Sequence, residues 1–170
     1  MTRYVAFLRA VNVGGTGKLP MAELRQMFDE LGFTGVKTYI ASGNVAFSSE
    51  KSEQAIKSAV EEKLAEYAGK PVAVFVRTAA EMNRILNESP FADKAPNFTF
   101  VVFLERKPPK DTLTQAVRLV DEEVHVGKRE IYVHYPGGVS QSKLRIPAAE
   151  HGTARNMNTV KKMVDMASGK

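Results

Sequence analysis

Apolar and polar positions along the chain switch repeatedly between a strand period of two and a helix period of 3.6. Arg3 to Ala10 is apolar at nearly every position, which predicts a strand inside a sheet. From Pro20, the residues Met21, Leu24, Phe28 and Leu31 share one helical face, with proline in the first turn and Gly32 as terminator. Val36 to Ala41 and Val45 to Ser48 read as strands around the turn Ser42-Gly43-Asn44. Ser52 is placed to cap a second helix with the stripe Ile56, Val60, Leu64, Tyr67, ending at Gly69. Val72 to Val76 then reads as a strand. The order is βαββαβ, a split-βαβ or ferredoxin-like plait.

The second half follows a related pattern. Thr78-Ala-Ala-Glu81 is a capping box, opening a helix through Met82, Ile85 and Leu86 that stops at Ser89-Pro90. Phe98 to Leu104 is the most continuously apolar run and predicts a central strand. After Pro108-Pro109, Asp111 is expected to cap a short helix bearing Leu113, Ala116, Val117 and Val120. Glu123 to Val126 and Ile131 to Tyr135 form a hairpin, Pro136-Gly-Gly138 begins an irregular stretch, and a last helix starts near Asn156 with Val160, Met163, Val164 and Ala167 inward. The expected fold is therefore α+β with two ferredoxin-like subdomains: 1–77, and 78–170, whose plait is elaborated or incomplete and ends in a basic helix.

Composition changes this picture little. With 170 residues and 44% hydrophobic content the chain can bury a sizeable core. It has no cysteine, which excludes disulfides, thiolate chemistry and cysteine-ligated zinc. No apolar run approaches the roughly 20 residues that span a bilayer, and no secretory signal pattern opens the sequence, so a cytoplasmic location away from membranes is expected. Net charge is +5, and it is unevenly placed. Between Gln141 and Lys170, Lys143, Arg145, Arg155, Lys161, Lys162 and Lys170 face only Glu150 and Asp165, a local excess of four.

Several motifs carry candidate chemistry. Gly14-Gly-Thr-Gly-Lys18 lies between the first strand and first helix, but lacks the spacing of a phosphate loop. Free N–H groups at the following helix start, with Arg9 and Lys18 beside them, suit an anion. Arg155, Asn156 and Asn158 are expected at the start of the last helix, where a cation opposes the dipole unless an anion binds. Ser42 and Asn44 offer a hydroxyl and an amide at one end of the first sheet. Ser140-Gln-Ser-Lys143 has the S-x-x-K spacing, but no S-D-N element accompanies it. His125, His134 and His151 make no metal motif. Phe7, Tyr39 and Phe47 are candidates for a base-stacking sheet face, although the aromatic signature of RNA-recognition plaits is absent.

Phe7-Leu-Arg-Ala-Val-Asn-Val-Gly-Gly15, Pro20-Met-Ala-Glu-Leu24, Leu31-Gly-Phe33, Thr38-Tyr-Ile-Ala-Ser-Gly-Asn-Val45 and Arg155-Asn-Met-Asn-Thr-Val160 together resemble a bacterial family, domain of unknown function 1697. Ser142-Lys-Leu144 is also family-like, and the family commonly carries a tryptophan where Met157 stands here. The resemblance implies two plait-like subdomains in a cytoplasmic bacterial protein, and implies no activity or cofactor.

The function expected from these residues is binding of a small phosphate- or carboxylate-bearing ligand at a cleft between the subdomains. Arg9, Asn12, Gly14, Gly15 and Lys18 would form one side, Ser42 and Asn44 a second, and Ser142, Lys143, Arg155, Asn156 and Asn158 the remainder. The alternatives are salt-dependent nucleic-acid binding through the basic C-terminal stretch, and an enzyme acting on a phosphorylated substrate with Lys18 or Lys143 in an acid–base or electrostatic role. No catalytic residue, metal ligand or cofactor is assigned.

Overall fold

The strand β1 (Thr2–Leu8) buries every side chain from Tyr4 to Leu8, on both of its faces, and such a strand has to sit inside a sheet. In the computed structural model, which describes residues 1–12 and 18–169, it does. Among the described residues the chain is mixed α and β, with two four-stranded antiparallel sheets and four helices. It divides into two units, Met1–Ile85 with the C-terminal segment from Lys162, and Leu86–Lys161.

The first unit runs β1, α1 (Met21–Glu30), β2 (Thr34–Tyr39), β3 (Asn44–Ser49), α2 (Glu53–Ala68), β4 (Val74–Thr78), and its strand order is β2-β3-β1-β4. Tyr4, Ala6 and Leu8 of β1 point to the face covered by α1 and α2, joining Val45, Phe47, Val74 and Val76 in one core with Leu24, Phe28, Ile56 and Leu64. Phe47 lies at its centre, 4.9 Å from the Phe33 ring and 5.1 Å from Phe28. Phe7 and Phe47 are both fully buried, so neither offers a face for stacking bases. Helix ends follow the expected chemistry. Ser52 Oγ accepts from Ala55 N at 3.2 Å, and Gly69 closes α2 in the left-handed conformation.

β4 passes straight into α3 (Ala79–Asn87), because Thr78 is both the last strand residue and the cap. Its Oγ1 accepts from Glu81 N at 3.1 Å, and Glu81 Oε1 accepts from Thr78 N at 3.0 Å. No linker lies at Arg77, where the sequence suggested a boundary; the division comes after Ile85. The C-terminal helix α4 (Met157–Ala167) is also divided, its second half belonging with the first unit. There the Arg3 guanidinium donates to Met166 O at 2.9 Å and Ala167 O at 3.3 Å, tying the end of α4 to β1.

The second unit holds β5 (Thr99–Phe103), β6 (Glu123–Val126), β7 (Glu130–His134) and β8 (Thr153–Asn156) in the order β6-β7-β5-β8. This repeats the first sheet position for position. The connections differ. Residues 104–122 join β5 to β6 without an α-helix, contrary to the helix expected after Asp111. Asp111 O accepts from Gln115 N and Ala116 N donates to Leu113 O, but the turn ends there, because Val117 pairs with Arg145 in an isolated antiparallel bridge and Arg118 takes a φ of +59°. Leu144, Ile146, Ala148 and Ala149 from the second irregular segment, with Ala116, cover the apolar face made by Val102, Ile131 and Val133. Loop side chains thus occupy the place that helices take in the first unit.

Candidate functional site

Among the described residues, four of the sequence-selected ones line two cavities: Asn12 and Lys18 in the first unit, Ser142 and Lys143 in the second. In the first unit a cavity of about 200 Å³ is lined by Lys18, Lys70, Leu64, Val72, Tyr67 and Asn12, among others. Its floor is the end of α2 and the approach to β4, both apolar. Among the described residues its charges are the ammonium groups of Lys18 and Lys70, which are exposed and form no ion pair, and the lining has no carboxylate. Asn12 lines this cavity, but its amide serves the backbone. Oδ1 accepts from Leu19 N at 2.6 Å, and Nδ2 donates to Leu19 O and Ala41 O, each at 2.8 Å. Asn12 adopts a φ of +56°, and these three hydrogen bonds hold it there. It shapes the wall, and both N–H groups of its side-chain amide are already used. Pro20, at the start of α1, makes no side-chain cap. Gly14 and Gly15 lie outside the described residues.

Arg9 is exposed just beyond β1, its N–H donating to Ala73 O, and it is not in the lining. Ser42 lies in the β2–β3 turn and Asn44 opens β3. Asn44 is fully buried, and its Nδ2 donates to Tyr39 O at 2.8 Å and Ser42 Oγ at 2.9 Å. Both therefore fix the hairpin. Gly43 between them has a φ of +87°, and its carbonyl accepts from Leu8 N at 2.9 Å, so the turn is stitched to the end of β1.

In the second unit a cavity of about 530 Å³ takes in Ser142 and Lys143, together with Arg118, Glu122 and Tyr135, which the sequence alone did not single out. Glu122 is buried, and its carboxylate accepts from Val120 N at 2.8 Å and from the Ser142 hydroxyl. These bonds, the Ser142 hydroxyl foremost, hold its carboxyl below the usual carboxylate range. Ser142 Oγ in turn accepts from Leu144 N at 3.1 Å. Burial, with a smaller contribution from the Glu122 charge, pushes the Tyr135 phenol up, so it stays a neutral donor.

The chain's relatives can be placed beside this geometry. The family described as protein of unknown function (DUF1697) matches residues 1–132. The chain belongs to that family. No curated protein matches this DUF1697 member. Among solved structures, it is similar to that of the conserved bacterial protein SP0830 from Streptococcus pneumoniae, with 28% identity, coverage of 98% of each chain and a TM-score of 0.82.

The remaining selected residues of this DUF1697 chain lie elsewhere. Arg155 is on strand β8, not at the helix start, and its buried Nη1 donates to Thr153 Oγ1 at 2.7 Å and Ala154 O at 2.9 Å. Burial pulls the guanidinium down to about 10, which still leaves it charged at neutral pH. Asn156 is the residue that caps α4, its Oδ1 accepting from Thr159 N at 3.0 Å, and Asn158 is exposed on the first turn. None of the three lines either cavity.

The C-terminal basic residues do not form one stripe. Arg155 is buried, Arg145 pairs with Glu150 at 2.5 Å, and Lys161 and Lys162 fall in different units. Lys170 lies outside the described residues. His134 is buried, with Nδ1 3.2 Å from Thr99 Oγ1, and among the described residues no group of three potential metal ligands exists. No described helix is long and apolar enough to cross a membrane.

Proposed function

We propose that the protein binds a small organic anion in the cavity of its first unit, where Lys18 and Lys70 hold the charge and Leu64, Val72 and the Tyr67 ring receive an apolar portion. The observation that carries this reading is the lining: among the described residues it has two ammonium groups without ion-pair partners, no carboxylate, and a wall that is mostly apolar apart from Asn12. Two cations at one cavity repel each other, and a ligand that brings the opposite charge relieves that repulsion. The volume, about 200 Å³, suits a compact phosphate or carboxylate rather than a nucleotide.

This reading assigns the first unit to the ferredoxin-like plaits, supported by its βαββαβ order and the strand order β2-β3-β1-β4. The second sheet, with the same order, is read as a plait whose two helices have become loops. A bacterial, cytoplasmic protein is proposed with it, and the Streptococcus pneumoniae relative supports the bacterial part.

Thermal unfolding in inorganic phosphate, phenyl phosphate, acetate and a short oligonucleotide, each at two salt concentrations, tests the proposal. Phenyl phosphate is expected to raise the midpoint more than inorganic phosphate. At 100 times its Kd it should add about 2.7 kcal/mol, and Lys18→Glu or Lys70→Glu should abolish the gain. A shift from the oligonucleotide alone, lost at high salt, would replace this reading with nucleic-acid binding.

A further inference from the structure

The two sheets share a strand order, but what connects the strands differs, and the difference encloses space. Where α1 joins β1 to β2, residues 104–122 join β5 to β6; where α2 joins β3 to β4, residues 135–152 join β7 to β8. Both irregular segments contribute to the wall of the 530 Å³ cavity, the first through Arg118 to Glu122 and the second through Tyr135 to Lys143. A volume of this size lies in the range of small-molecule sites, roughly 300–1,000 Å³. Loops held on a rigid sheet are a common setting for such sites.

The wall is built. The Glu122 carboxylate joins the two segments through Val120 N and the Ser142 hydroxyl, and Ser142 Oγ is itself held by Leu144 N. Gly138 N donates to Tyr135 O at 2.9 Å and Gln141 N to Gly138 O at 3.3 Å. At Gly137 a Cβ would meet only Gln141 Cβ, at 4.0 Å, so the backbone there is open to a close approach.

The charges differ in kind from those of the first unit. Arg118 and Lys143 supply two positive groups, Asp121 and Glu122 two negative ones, and the lining sums to zero. Arg118, Asp121 and Lys143 are exposed, and among the described residues none of the four makes an ion pair with another. Opposite charges that share a cavity without neutralising each other provide separate stations for a ligand carrying both signs. A simple anion would meet the two carboxylates and a simple cation the guanidinium and ammonium, each at a penalty.

From this arrangement we infer that the cavity of the second unit binds a small zwitterion of the amino-carboxylate class, such as a free amino acid. Arg118 and Lys143 receive its carboxylate, and Asp121 receives its ammonium. Tyr135, kept neutral, supplies a hydrogen-bond donor, and Glu122 with Ser142 fixes the wall. This site is separate from the one in the first unit and does not depend on it.

Titration calorimetry of the full chain with glycine, L-alanine, L-glutamate, L-lysine and L-phenylalanine tests the inference, with acetate and ethylammonium as probes bearing a single charge. At least one amino acid should bind with a Kd ten or more times lower than either control. Asp121→Asn and Arg118→Gly should each weaken it at least tenfold. The glycine also suits the left-handed backbone at 118, and Lys143→Ala provides a second test of the cationic station. The Kd should be unchanged in saturating phenyl phosphate. Absence of binding by every amino acid, equal binding of acetate or ethylammonium, full affinity in folded Asp121→Asn, or competition by phenyl phosphate would each overturn it.

Discussion

Gly32 and Gly43 make a matched pair for separating backbone strain from packing. Their φ angles are nearly equal, +86° and +87°, so an alanine at either meets the same left-handed penalty, about 1–2 kcal/mol. Their surroundings are opposite. A Cβ at Gly32 would have nothing within 4 Å, whereas at Gly43 it would lie 2.9 Å from both Leu8 Cβ and Val11 Cγ2. Leu8 is fully buried at the end of the central strand and donates its backbone N–H to the Gly43 carbonyl, so it has little room to give. Overpacking of that kind adds about 1–3 kcal/mol. Gly32→Ala should therefore lose about 1–2 kcal/mol and Gly43→Ala about 2–5 kcal/mol. Urea unfolding followed by far-ultraviolet circular dichroism gives both values, with equal slopes showing that the denatured states are comparable. Equal losses in the two variants would refute the claim that close packing on Leu8 and Val11 imposes glycine at position 43.

Two further expectations concern polar side chains. Asn44→Ala removes the buried amide that donates to Tyr39 O and Ser42 Oγ and should destabilise the protein by about 1–3 kcal/mol, measured by the same unfolding assay, whereas a purely ligand-binding Asn44 would give no loss. Glu122 has a lowered carboxyl in the folded state, so its stabilising contribution is present above the ordinary carboxylate pKa and disappears as pH falls through the lowered one. Ser142→Ala removes the largest cause of that shift and should flatten the acid limb of stability plotted against pH; an unaltered limb would show that the hydroxyl does not hold the charge.

How far the chain could be read from its letters depended on where its stabilising contacts come from. The first unit was legible almost throughout. Its strands alternate or run apolar, its helices carry stripes such as Ile56, Val60 and Leu64, and its caps at Ser52, Gly69 and the Thr78–Glu81 box act within a few residues. The last helix was legible for the same reason, with Val160, Met163, Val164 and Ala167 all buried. Local periodicity and local hydrogen bonds are properties of sequence neighbours.

The rest was decided by partners distant along the chain. Strand β8 escaped notice because its inward positions, Thr153 and Arg155, are polar, leaving no apolar alternation. The helix suggested after Asp111 gives way to a bridge with Arg145, a residue nearly thirty positions later. Asn12 and Asn44 look like ligand groups in sequence, and only the fold shows their amides engaged by backbone carbonyls. Composition likewise established an excess of positive charge in the C-terminal stretch, but burial of Arg155 and the Arg145–Glu150 pair break it up. The sequence by itself determined the secondary elements of the first unit and the family; tertiary structure alone decided which charges share a cavity, because loop residues far apart in the chain meet only when the sheets bring them together.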